Sequence, residues 1–193
     1  MIATIQSKFE RIILASQSPR RRELMAKLGL QFESICLDVD ESFPDNLEAM
    51  EVAPYLAQKK SASYTQLMPG ELLITCDTTV CLDGKVINKP IDRSDAFTML
   101  SELSGKTHTV VTGVTLKTTN KELTFNAQTK VSFNDLTKAE IDYYVNHFEV
   151  LDKAGAYGIQ DWIGYSNISK IEGCYYNVMG LPTSELYRVL KDW

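Results

Sequence analysis

The chain lacks any hydrophobic run long enough to cross a bilayer. The longest aliphatic stretch near its N-terminus is Ile12–Ala15, far short of the roughly 20 apolar residues of a transmembrane helix and of a signal-peptide core. Soft-metal ligands are also scarce. Two histidines (His108, His147) and four cysteines (Cys36, Cys76, Cys81, Cys174) form no C-x-x-C pair and none of the usual zinc spacings, which argues against a thiolate–imidazole metal site. Buried free thiols in a reducing compartment are the expected state of the cysteines. A basic surplus is missing as well. Twenty Lys and Arg face 25 Asp and Glu, for a net charge of −5, so binding to polymeric nucleic acid is not expected. There is no G-x-G-x-x-G fingerprint and no G-x-S-x-G elbow, and Ser104-Gly-Lys-Thr lacks the upstream glycine of a Walker loop, which removes support for dinucleotide folds, hydrolase triads and P-loops. Without repeats, low-complexity stretches or linkers, residues 1–193 are expected to form a single domain of a soluble, cytoplasmic protein with no membrane association.

What remains is an alternation of strand and helix signals. Arg11–Ala15 reads as a short buried strand. Ser18-Pro19 supplies an N-cap and a first-turn proline, Leu24, Met25 and Leu28 form a helical stripe, and Gly29 is placed to end it. A helix opening at Pro54 is expected to run to about Gln66, followed by a strand Leu72–Cys76 with Asp77 at its carboxyl end. Asp83-Gly84 is a strong hairpin turn between Val80 and Ile87. Ser94 is read as the cap of a helix ending near Gly105. Thr109–Leu116 and Leu123–Phe133 are β-branched strands turning at Asn120-Lys121, and Thr137-Lys-Ala-Glu140 is a capping box. Strands near Ile168–Ile171 and Tyr175–Val178 and a helix from Thr183 complete an α/β class with an antiparallel portion.

Two features carry chemistry. In Ser16-Gln-Ser-Pro-Arg-Arg-Arg22 three arginines occupy the start of the predicted helix. The helix dipole disfavours cations there by roughly 0.3–1 kcal/mol each. An anion meeting both backbone N–H groups and guanidinium forks would offset that cost; a solvated basic turn is the competing reading. In Cys76-Asp77-Thr78-Thr79 a carboxylate follows a buried strand, the position where open α/β sheets place ligand crevices. Asp77 there can hold a hard cation, act as a general base, or simply be a turn residue. Asp38, Asp40 and Glu41 offer further oxygens, and Lys60 and Lys89 offer charge for phosphate. Ala154-Gly-Ala-Tyr-Gly-Ile-Gln160 is by itself a glycine loop, ending in a carboxamide able to read the amide edge of uracil or thymine.

Taken together, six segments in order resemble the Maf family of nucleotide pyrophosphatases. They are LASQSPRRRELMAKLG (14–29), CDTTV (76–80), NKP (88–90), LSGKTHTVVTGV (103–114), DKAGAYGIQ (152–160) and NVMGLP (177–182). The resemblance implies a bent mixed sheet with flanking helices and two lobes around a deep cleft, as in inosine triphosphate pyrophosphatases. It implies hydrolysis of a nucleoside triphosphate to monophosphate and pyrophosphate, and AGAYGIQ with Thr78 is similar to the dTTP/UTP branch. Asp77 matches the proton acceptor, and Arg20, Thr78 and Gln160 match positions tied to substrate choice. Ser16, Arg21, Glu41, Lys60 and Lys89 match the polar lining, with Lys60 preferred to Lys59. Cys76 stands where the family usually has alanine, and Asn88 where it has glycine or an acidic residue.

The implied cofactor is a divalent cation, Mg²⁺ or Mn²⁺, held by Glu41 and Asp77 together with triphosphate oxygens. The expected partner is a nucleoside triphosphate, with homodimerisation left open. Two rival readings stand beside this one: a pyrophosphatase of 7-methyl-GTP or another modified nucleotide, and a nucleotide-binding regulator of cell division without turnover.

Overall fold

A computed structural model describes residues 2–193. Along the chain these form α1 (Ile2–Gln6), β1 (Arg11–Ala15), α2 (Pro19–Lys27), β2 (Glu33–Ile35), α3 (Val52–Ser63), β3 (Glu71–Leu82), β4 (Lys85–Ile87), α4 (Arg93–Leu103) and β5 (Thr107–Lys117). They continue with β6 (Glu122–Phe133), α5 (Lys138–His147), α6 (Trp162–Asn167), β7 (Ile168–Glu172), α7 (Tyr175–Val178) and α8 (Thr183–Asp192). The strands make one seven-stranded sheet in the order β2-β1-β3-β5-β6-β7, with β4 paired to β3. It is mixed, since β1 runs parallel to β2 and β3 while the β3–β4 and β6–β7 pairs are antiparallel.

The chain divides into two compact units. The first comprises residues 1–77, 112–127 and 180–193, and the second residues 78–111 and 128–179. In the first, Ile13, Ala15 and Leu73 pack with Ile35, Leu37, Tyr64 and Leu67. Helix α3 lies so close to β5 that a side chain on Gly113 would collide with the backbone of Pro54, and this contact fixes the helix that carries Lys60. In the second unit Leu100, Val110, Val131, Phe133, Tyr144 and Ile163 belong to a single apolar cluster.

Most expected elements are present. Asp83 and Gly84 take φ of 50° and 77°, the left-handed pair a two-residue hairpin needs, and the Thr137–Glu140 capping box is formed in both directions. Five readings change. Asp77 is not at a strand end, because β3 continues to Leu82. Pro54 is the third residue of α3, where its missing N–H costs nothing, and the helix stops at Ser63 rather than Gln66. Asp92, not Ser94, caps α4, its Oδ1 accepting from the Asp95 N–H at 2.8 Å. Tyr175–Val178 is a turn of helix instead of a strand. Tertiary contacts override its β-like composition, for the short helix lets the Asn177 amide donate to the Val110 carbonyl and to Thr129 Oγ1, at 3.1 and 2.9 Å. Finally, Cys76 and Cys81 are buried thiols, but Cys36 is exposed and Cys174 half-buried.

Candidate active site

The site in the first unit begins where a strand stops. Pairing of β1 with β3 ends at Ala15 opposite Thr75. The chain then leaves the sheet at Ser16, while β3 runs on through Cys76 and Asp77. Helix α3 packs against this stretch. Thr75 Oγ1 donates to the Ala57 carbonyl at 2.7 Å, and one turn further Lys60 Nζ reaches Asp77 Oδ1 at 2.5 Å. Positions 57 and 60 lie on one face of a helix and positions 75 and 77 on one face of a strand, so the two periodicities bring lysine to aspartate. The same ammonium donates to Glu41 Oε1 at 2.7 Å. Asp77 is only 7 % exposed.

Helix α2 adds a second cation. Ser18 caps it, its hydroxyl accepting from the Arg21 N–H. Arg21 Nε donates to the Gly180 carbonyl at 2.8 Å, and Nη1 donates to the Cys76 carbonyl at 2.9 Å. The Cys76 carbonyl lies just beyond the last β1–β3 pair, so arginine caps the backbone where the ladder ends. Arg21 therefore has a structural reason to tolerate its unfavourable place on the helix, in addition to any anion. Arg20 is half-buried and Arg22 exposed. Ser16 is buried, its Oγ accepting from the Ser18 N–H at 3.2 Å and its carbonyl from Ser34 Oγ at 3.1 Å. Burial pushes the Cys76 thiol up to about 11, against the lowering influence of Arg21 and Lys60. Beside Asp77 it is an inert, neutral group.

Neighbouring lysines have different partners. Lys59 Nζ donates to Asp40 Oδ2 at 3.3 Å and to the Ser42 carbonyl at 2.8 Å. The Ser42 hydroxyl and N–H, helped by Lys59, hold the Asp40 carboxyl below its ordinary range. Of the acidic group after β2, Glu41 is the residue that shares Lys60 with Asp77. Among the described residues no three His, Cys, Asp or Glu side chains are grouped to cage a metal ion. Two carboxylates converging on one cation fit a Mg²⁺-type ion whose other ligands are phosphate oxygens and water, and do not fit an all-protein cage.

The remaining predicted residues lie in the second unit. Thr78 is half-buried in β3 and Lys89 exposed between β4 and α4. Gln160 is half-buried before α6, and its Nε2 donates to Asp161 Oδ1 at 3.3 Å. Asp161 Oδ2 in turn accepts from the Tyr144 hydroxyl at 2.8 Å and lies 3.8 Å from Lys153 Nζ. Tyr144, Lys153 and Asp161 were not among the residues singled out from the sequence. An aspartate before a short helix reads as a cap, and nothing local shows that its carboxylate turns elsewhere.

A nearly buried carboxylate within a strand, clasped by lysine and flanked by an anchored arginine, defines a mixed α/β protein equipped to handle an anionic ligand beside a potential base. The chain belongs to the Maf family: the profile described as "Maf-like protein" matches residues 11–193. It is 52 % identical over 182 residues to a Bacteroides thetaiotaomicron protein named dTTP/UTP pyrophosphatase, covering 93 % of this chain and 94 % of that one. A Flavobacterium psychrophilum protein of the same name is 45 % identical over 191 residues, covering 97 % and 98 %. Among solved structures, a HAM1 protein from Coxiella burnetii shares the fold with a TM-score of 0.52 at 15 % identity, over 95 % of this chain and 99 % of that one. No helix among the described residues is long and apolar enough to cross a membrane.

Proposed function

We propose that this chain hydrolyses dTTP and UTP to the nucleoside monophosphate and pyrophosphate, with a divalent cation. The observation that carries the reading is the Asp77–Lys60–Glu41 cluster in a chain about half identical, over nearly its whole length, to proteins named for that activity.

In this reading Asp77 accepts a proton from water, and the resulting hydroxide attacks the α-phosphorus. The bond from that phosphorus to the bridging oxygen breaks, and pyrophosphate leaves. Asp77 and Glu41 are the residues that would hold Mg²⁺ or Mn²⁺, which when bound would neutralise phosphate charge. Lys60 bridges both carboxylates and holds them in place. With two of its three donors engaged, it retains one for a phosphate oxygen. Arg21 adds a fixed positive charge, Arg20 and Ser16 add phosphate contacts, and Lys89 has a phosphate-binding role by the family resemblance alone. Thr78 and Gln160 select the base by the family resemblance.

The test is incubation of the purified protein with Mg²⁺ and dTTP, UTP, CTP, ITP or 7-methyl-GTP, measuring monophosphate and pyrophosphate. Equimolar products with a preference for dTTP and UTP are expected. Orthophosphate release, a preference for 7-methyl-GTP, or tight nucleotide binding without turnover would each overturn the reading.

A further inference from the structure

The second unit holds a polar network that the proposed chemistry does not use. Asp161 stands immediately before α6, where an aspartate ordinarily accepts from the first N–H groups of the helix. Here its side chain makes no capping bond. Its two carboxylate oxygens face the Gln160 amide on one side and the Tyr144 hydroxyl on the other, with Lys153 behind. Tyr144 is held in turn: its hydroxyl accepts from the Gly158 N–H at 3.0 Å and its ring is fully buried. Position 158 must be glycine for this packing, since a Cβ there would lie 2.5 Å from Asp161 Oδ2 and 2.7 Å from Gln160 Nε2.

The consequence concerns which end of the glutamine amide is which. A carboxylate only accepts hydrogen bonds, so the end of the Gln160 amide that faces Asp161 has to be the NH₂ group. The oxygen is then committed to the other direction. Gln160 Oε1 is buried without a hydrogen-bond partner, an arrangement that costs free energy until a donor arrives. The Watson–Crick edges of the pyrimidines differ at this point. Uracil and thymine carry an N3–H donor, whereas cytosine presents an N3 lone pair.

We infer that Asp161 is a positioning residue that locks the Gln160 carboxamide with its oxygen as an acceptor, so that the site takes a base with an N3–H donor and rejects cytosine. This rests on the proposed dTTP/UTP reaction with Gln160 as the base-reading residue. It adds the group that sets the amide's orientation and the atom of the base that is read.

Asp161→Asn is nearly isosteric but can donate as well as accept, so it removes the reason for one amide orientation. Measured as kcat and KM on UTP and CTP, this variant is expected to raise KM for UTP about ten-fold and to lower the UTP-to-CTP ratio of kcat/KM by a similar factor, with little change in kcat. Asp161→Glu, which restores an acceptor-only group, should recover part of the ratio. In a Gln160→Ala background Asp161→Asn should have almost no further effect on the ratio. An equal loss on both nucleotides, or full additivity with Gln160→Ala, would overturn the inference. Should the variants fail to fold, N3-methyl-UTP tests the wild-type protein directly. Its kcat/KM is expected to fall at least about ten-fold below that of UTP, and equal use of both refutes the assignment. Failure of the wild-type protein to release pyrophosphate from either UTP or dTTP would strike instead at the underlying reaction.

Discussion

Each unit contains a lysine set against two carboxylates, and the two arrangements serve opposite ends. In the first, Lys60 lies between Asp77 and Glu41 at 2.5 and 2.7 Å. In the second, Lys153 lies 2.7 Å from Asp152 and 3.8 Å from Asp161, and also donates to the Glu149 carbonyl. Each ammonium makes two hydrogen bonds, Lys153 with Asp161 at ion-pair distance beyond them. The difference is in what they join. Lys60 links Asp77 and Glu41 from separate segments, and its aspartate sits on a strand whose parallel neighbour has already ended. Lys153 is bound to Glu149 and Asp152 of its own loop and is the more buried of the two, 7 % against 15 %. A lysine–carboxylate cluster alone does not define a reactive site. One that joins distant segments beside a strand-borne carboxylate is suited to receive a ligand, and one closed within its own loop holds that loop.

The sharpest way to break this contrast is Asp77→Asn, which preserves shape and one acceptor while removing the base. Pyrophosphate release is expected to fall by about 10²–10⁴-fold, with the far-UV circular dichroism unchanged; near-normal turnover would remove Asp77 from the chemistry. Next comes Lys60→Met, which removes the ammonium that links Asp77 and Glu41. A loss of about 10²-fold in kcat/KM is expected. Lys153→Met should do the reverse, lowering unfolding free energy by about 2 kcal/mol in denaturant titrations, less than the ~3–5 kcal/mol of a fully buried pair because Asp152 is half exposed. Its effect on kcat should stay within about three-fold. If Lys153→Met abolished turnover while leaving stability intact, the division of roles would be wrong.

A further effect in the second unit acts on stability and depends on pH. His108 is 2 % exposed, shares a 2.7 Å hydrogen bond with the Tyr157 hydroxyl and stacks on Phe133. Burial lowers it from 6.5 to about 4. The unfolded chain therefore binds a proton between those values that the folded chain does not. Its contribution is fully present above pH 6.5 and is lost as pH falls towards 4, by roughly 3 kcal/mol at most. His108→Gln should flatten the stability profile in that window relative to the wild type, as read by thermal unfolding at each pH. The smallest change expected is Lys59→Ala, whose partners Asp40 and Ser42 are exposed. It should move stability by no more than about 0.5 kcal/mol and kcat/KM by less than two-fold, in contrast to its neighbour Lys60.

Much of this was legible from local pattern. The Ser18-Pro19 helix start, the Asp83-Gly84 hairpin and the Thr137 capping box are set by backbone chemistry within a few residues, which is why they could be read before any fold was known. Asp77, Lys60, Glu41 and Arg21 were also named in advance, by their types and by resemblance. Their mutual geometry was not, because it depends on where β1 stops relative to β3 and on how α3 packs over Gly113, both long-range outcomes. The same limit explains the misreadings. Asp77 looked like a strand end because polar residues follow it, yet the sheet carries them on to Leu82. Tyr175–Val178 looked like a strand until Asn177 found its partners on β5 and β6.

By itself, then, the sequence determined the class of fold, the inventory of charged groups and the order of the segments that mark the family. Only the tertiary structure decided which lysine meets Asp77, what anchors Arg21, and that Asp161 turns from the helix it precedes to face Gln160. Local propensity acts over a few residues, whereas these choices are made by packing between residues as far apart as Arg21 and Gly180, where chain spacing carries no information about distance.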